Sequence, residues 1–144
     1  MKPDLLQGWT VLVVDDEMDG LQVAEMLLAM SGAVVYTALT GSEALKIMQA
    51  VTPTFILSDL SMPEMTGWEF VAQLRGNPAL QNIPVIALTA HTTGADREYT
   101  LSAGFQGFLI KPLKPKTFIQ DLCTAFEHIP DLADRLNKGE LPRE

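Results

Sequence analysis

Short runs dominated by Val, Ile, Leu and Phe alternate with longer segments of helical spacing, and the alternation recurs five times. The runs are Thr10 to Val14, Val34 to Ala38, Phe55 to Ser58, Val85 to Leu88 and Phe108 to Ile110. Three of them are apolar at nearly every position, the pattern of strands covered by helices on both faces.

The spacing predicts a first helix over about Asp19 to Met30, with Leu21, Ala24, Leu27 and Leu28 on one stripe and Ser31-Gly32 ending it. A second begins after Thr40, an N-cap with Glu43 three residues on, and carries Ala44, Leu45, Ile47 and Met48 toward the sheet until Pro53. A third fits Trp68 to Arg75, and a shorter, more polar fourth fits Ala95 to Ser102. A fifth is expected to start near Pro115, with Phe118, Ile119, Leu122 and Phe126 at core spacing before Pro130. Strands alternating with helices imply a parallel sheet with helices on both faces, in which ligands bind beyond the carboxyl ends of the strands.

A chain of 144 residues suits one domain. With 47% hydrophobic and 19% charged residues it is expected to fold, and no apolar run approaches the roughly 18 residues of a spanning helix. The N-terminus lacks a signal-peptide pattern, so a cytoplasmic location is expected. A net charge of −8 disfavours a nucleic-acid groove or an anionic membrane as the main partner. The single cysteine, Cys123, cannot form an internal disulfide and is expected to be a small buried hydrophobe in the fifth helix. Trp9 and Trp68 are expected to pack.

At the strand ends the sequence stops being generic. The first strand ends in Asp15-Asp16, the third in Asp59, the fourth in Thr89 and the fifth in Lys111. Three carboxylates on one edge repel unless a cation neutralises them, and a hard divalent ion with oxygen ligands is the natural solution. An aspartate nucleophile, a metal, an ammonium and a hydroxyl are also what phosphoryl transfer requires. An isolated Asp-Asp pair is most often a solvated turn; the company of Asp59, Thr89 and Lys111 changes that reading.

The segments VLVVDDE, FILSDLSMPEMTGWEF, PVIALTA and AGFQGFLIKPL occur here in order over roughly Trp9 to Ile129. Together they resemble the response-regulator receiver domain of two-component signalling, in its CheY-like, stand-alone form. The resemblance implies a flavodoxin-like, doubly wound five-stranded parallel sheet of order 2-1-3-4-5 with five helices in a single domain. Residues 1–8 would be an N-terminal extension, 9–129 the receiver and 130–144 a tail: a linker, a disordered end or a short docking helix.

By the same resemblance Asp59 is the phosphoacceptor, and Asp15, Asp16, the Asp59 carboxylate and the Ser61 backbone carbonyl hold Mg2+ (or Mn2+). Lys111 would contact a phosphoryl oxygen, Thr89 would turn its hydroxyl toward the phosphate, and Lys111-Pro112 would be a cis peptide bond. Phe108 takes the place of the switch aromatic, beside the alternative that it is simply a core residue. Ser61 and His91 are candidates for tuning the life of the acyl phosphate, against the simpler reading of His91 as a solvated loop residue. Gly67 and Met62-Pro63 are expected to shape the loop after Asp59.

The implied partners are a histidine kinase or phosphotransfer protein and a downstream protein target met through the fourth helix, fifth strand and fifth helix. No direct contact with nucleic acid or membrane is expected, and the chain would be a monomer or weak homodimer. Apart from limited self-phosphorylation and self-dephosphorylation, it is not expected to be an enzyme. Alternatives are a receiver cut from a hybrid kinase or multidomain regulator, which Met1 and the short polar tail argue against, and a Mg-dependent phosphatase. Resemblance to haloacid-dehalogenase-like phosphatases would imply a second acid two residues after the nucleophile, where this chain has Ser61, so the general acid for turnover is missing. A pseudo-receiver would have lost one of these acids or the lysine, and none is lost.

Overall fold

In the computed structural model, which describes residues 5–90 and 94–140 (side chains excepting those of 94–97 and 137–140), each apolar run is a strand and each amphipathic segment a helix. In chain order the elements are β1 (Thr10–Val14), α1 (Met18–Met30), β2 (Val34–Ala38), α2 (Gly41–Ile47), β3 (Phe55–Asp59), α3 (Gly67–Arg75), β4 (Val85–Thr89), α4 (Gly94–Ser102), β5 (Gly107–Ile110), α5 (Phe118–Phe126) and α6 (Pro130–Glu140). The five strands form one parallel sheet of order β2-β1-β3-β4-β5. Every residue of the central strands β3 and β4 is buried, which is why they read as unbroken apolar runs.

Two apolar layers flank the sheet. One joins α1, α5 and α6 through Leu21, Leu28, Phe118, Leu122 and Phe126, and contains the rings of Trp9, Phe55 and Phe126 with centroids 5.2–5.9 Å apart. The other joins α2 and α3 through Ala44, Phe70, Val71 and Leu74, with Phe105 beside them.

The helix starts follow local chemistry. Thr40 Oγ1 accepts from the Glu43 N–H at 3.1 Å, while Glu43 reaches back one residue further than a standard capping box, accepting from the Leu39 N–H at 2.7 Å. The full reciprocal box belongs to α3, between Thr66 and Glu69. Four of the five expected helices agree with the sequence reading to within a residue or two.

The structure departs from the sequence expectations at several points. Among the described residues there are six helices, one more than the five expected. Of the three alternatives for the tail, a linker, a disordered end or a short docking helix, residues 130–140 are helical and form α6, because Leu132, 1% exposed, and Leu136 continue the apolar layer started by Ile129. Helix α5 begins at Phe118 and not near Pro115, which lies in the preceding turn, where the Thr117 and Phe118 N–H groups donate to Lys114 O. Cys123 is half-buried rather than enclosed, since it lies on the flank of α5 between its buried stripe and solvent. Leu6, N-terminal to the expected domain start, is fully buried and donates its N–H to Ser31 O at 2.8 Å.

Candidate functional site

The carboxyl ends of β1, β3, β4 and β5 converge on a cavity of about 860 Å³ that contains Asp15, Asp16, Asp59, Thr89 and Lys111. Parallel registry does this directly: Asp59 pairs with Leu88, Thr89 pairs with Ile110, and the next residue, Lys111, donates its backbone N–H to Thr89 O at 2.8 Å. Asp15 is fixed from β2, donating its N–H to Ala38 O at 3.1 Å.

Asp15, Asp59 and Thr89 are buried, whereas Asp16 is exposed. One ammonium serves three acids. Lys111 Nζ lies 3.1 Å from Asp15 Oδ2, 3.4 Å from Asp59 Oδ2 and 3.3 Å from Glu17 Oε1. Burial pushes the Asp59 carboxyl up to about 6; Lys111 and the Ser61 N–H oppose that rise, and the neighbouring charge of Asp15 adds to it. For Lys111 burial works against the charged form, but the surrounding carboxylates outweigh it and hold the ammonium above its usual range.

The donor set fits a hard divalent cation. Carboxylate oxygens of Asp15, Asp16 and Asp59 all lie within 4.8 Å of one another. Asp15 Oδ2 is buried, and among the described residues its polar neighbour is the Lys111 ammonium at 3.1 Å, so this oxygen has no aligned hydrogen-bond donor to compete with a cation. Gly20, in the first turns of α1, keeps that oxygen clear, for a Cβ there would sit 3.2 Å from it. Gly67 closes the other side: a Cβ would collide with the carbonyl oxygen of Asp59, and only glycine lets α3 start so close to the strand end.

Ser61 lies on the cavity wall, and the Lys111-Pro112 bond is cis. Phe108 is half-buried on β5 opposite Ala87, packed against the α2–α3 layer rather than enclosed in the core. Beside it a second hollow runs between α4, β5 and α5, where Leu101 and Ile110 are exposed. His91 lies outside the described residues.

The sequence reading missed two wall residues. Glu17 was only the last letter of an acidic run, yet it is paired with a lysine 94 residues away. Trp68, expected to pack, lines the cavity; its Nε1 is buried with no hydrogen-bond partner among the described residues, and its ring lies 5.5 Å from that of Tyr99 on α4. No signal in the sequence marks either contact, since both join elements distant along the chain.

Comparison with known proteins agrees with this architecture. The family model for the response regulator receiver domain matches residues 11–123. A 14.6 kDa protein encoded in the sodA1 3′ region of Leptolyngbya boryana is 38% identical over 119 residues, covering 81% of this chain and 91% of that one. The polar-differentiation response regulator DivK of Brucella ovis is 30% identical over 113 residues, covering 78% and 92%. The chemotaxis response regulator CheY4 of Vibrio cholerae superposes with a TM-score of 0.76 at 34% identity, covering 81% of this chain and 98% of its own. The chain spans about half the length of the transcriptional regulators among its relatives. Receiver domains work with histidine kinases or phosphotransfer proteins, and among the described residues no helix is long and apolar enough to cross a membrane. From its match over most of its length, the chain belongs to the response regulator receiver domain family of two-component systems.

Proposed function

We propose that this receiver is a phosphorylation-dependent switch in which Asp59 accepts a phosphoryl group from a histidine kinase or phosphotransfer partner. The observation that carries the reading is the single ammonium of Lys111 held between Asp15 and Asp59 at the mouth of the cavity that Thr89 also lines. An Asp59 carboxylate oxygen attacks phosphorus, and the bond from phosphorus to the donor breaks with its electron pair leaving on the donor. Asp15, Asp16, Asp59 and the Ser61 carbonyl would hold Mg2+, which when bound supplies positive charge to the phosphoryl oxygens.

The acyl phosphate adds about one to two negative charges at a buried strand end. Lys111 follows that charge, and the Thr89 hydroxyl donates to a phosphoryl oxygen. Space vacated by Thr89 lets Phe108, half-exposed on the neighbouring strand, turn inward and alter the α4–β5–α5 surface that a downstream protein reads. Ser61, and His91 two residues beyond Thr89 in the sequence, tune how long the acyl phosphate survives before water ends the signal.

The test is intact-protein mass after incubation with acetyl phosphate. Gain of one phosphoryl group with Mg2+, but neither without it nor on Asp59→Asn, is the expected result. An equal gain on Asp59→Asn would overturn the assignment.

A further inference from the structure

Glu17 stands at the N-cap of α1, yet its side chain makes no capping hydrogen bond there. Ser, Thr, Asp or Asn would cap better, so helix formation does not explain a glutamate. The Glu17 backbone N–H donates to Asp15 Oδ1 at 3.0 Å, which fixes the main chain and leaves the side chain, 70% exposed, to reach over the cavity to Lys111 Nζ at 3.3 Å. Asp16 and Asp19 share that rim, and Lys111 is the one cation among the described residues lining the cavity. Any phosphodonor is an anion, and the cavity that receives it is lined by Glu17, whose carboxylate already pairs with the lysine.

We propose that Glu17 is a specificity-determining residue that sorts phosphodonors by charge, disfavouring dianionic acyl phosphates relative to N-phosphoryl donors. The proposal rests on Asp59 as phosphoacceptor. With acetyl phosphate, the Asp59 oxygen bonds to phosphorus while the bond from phosphorus to the acetyl oxygen breaks, and acetate leaves with the electron pair. Negative charge therefore develops on the departing group beside the Glu17 carboxylate. With phosphoramidate the electron pair of the breaking phosphorus–nitrogen bond goes to a nitrogen that already carries its proton, and neutral ammonia departs. Only the first reaction brings a dianion in and sends an anion out past Glu17, so the carboxylate raises its barrier more. The exposed ion pair with Lys111 is weak enough to open in either case.

Initial phosphorylation rates of the full chain with acetyl phosphate and with phosphoramidate, both with Mg2+, test this on the wild type, Glu17→Gln and Glu17→Asp. Expected for Glu17→Gln is a rise of about three- to tenfold with acetyl phosphate and under about twofold with phosphoramidate, the difference shrinking as salt is raised. Glu17→Asp, which keeps the charge, should retain the wild-type ratio of donors. An unchanged ratio in Glu17→Gln, or a Glu17→Asp that behaves like Gln, overturns the proposal while leaving Asp59 as acceptor. Failure of the wild type to take phosphate from either donor removes the acceptor assignment itself, and this proposal with it.

Discussion

Asp59 and Gly67 are in backbone contact, and each makes its own prediction. The Asp59 carboxyl is raised from its ordinary 3.8 to about 6 by burial. A raised acid favours the folded state while protonated: that contribution is complete below about 3.8 and is lost as pH rises through 6. Metal-free Asp59→Asn should therefore be more stable than the wild type at pH 7.5 by about 1 kcal/mol, a few degrees in Tm, the full shift being discounted for screening by solvent and Lys111. The gap should close by about pH 4, and thermal melts across that range measure it. At Gly67 an added Cβ meets the Asp59 carbonyl and, at 2.9 Å, the Leu60 Cα, both backbone atoms that cannot swing aside. Gly67→Ala should cost about 2 kcal/mol in urea unfolding and slow phosphoryl uptake as it displaces Asp59. Asp15, Asp59, Thr89 and Lys111 were legible as candidates because each directly follows or closes an apolar run, and Asp16 because it adjoins Asp15. The Glu17 and Trp68 contacts were not, since each joins residues from different elements.

At the scale of elements, strands were legible wherever burial on both faces removed polar residues. Helix ends were legible less evenly. The Thr40 cap could be read from its glutamate three residues on, but the complete box at Thr66 and Glu69 went unread, standing inside a loop dominated by Met62-Pro63 and Gly67. Helix α6 stood only as one of three alternatives for the tail because its composition is polar, with Leu132 and Leu136 the apolar residues packed on the core among its described side chains. Arg75 shows the same limit: its guanidinium donates to the carbonyls of Gln81, Ile83 and Gly104 and to Gln106 Oε1, tying α3 to β4 and to the turn before β5 through partners up to 31 residues away. For α6 the prediction is direct. Leu132→Ala, emptying a site 1% exposed, should destabilise the domain by about 2–4 kcal/mol in urea while leaving the rate of phosphoryl uptake at Asp59 unchanged.

For the whole molecule, parallel topology explains why chemistry gathers at one edge, since all five strands present their carboxyl ends there. The opposite end is sealed by Leu6, Trp9, Ile129 and Leu132, in the layer that also holds Phe55 and Phe126. Stability and chemistry thus occupy different ends of the sheet, and the α4–β5–α5 face, with exposed Tyr99, Leu101 and Ile110, adjoins the chemical end. The central claim is that Asp59 itself carries the phosphoryl group. Borohydride reduction after treatment with acetyl phosphate and Mg2+, followed by peptide mapping, reads this directly, because an aspartyl phosphate is reduced to homoserine. Homoserine at position 59 alone is the predicted result; an unmodified Asp59 in protein that has gained phosphate, or homoserine at position 15 or 16, would contradict it.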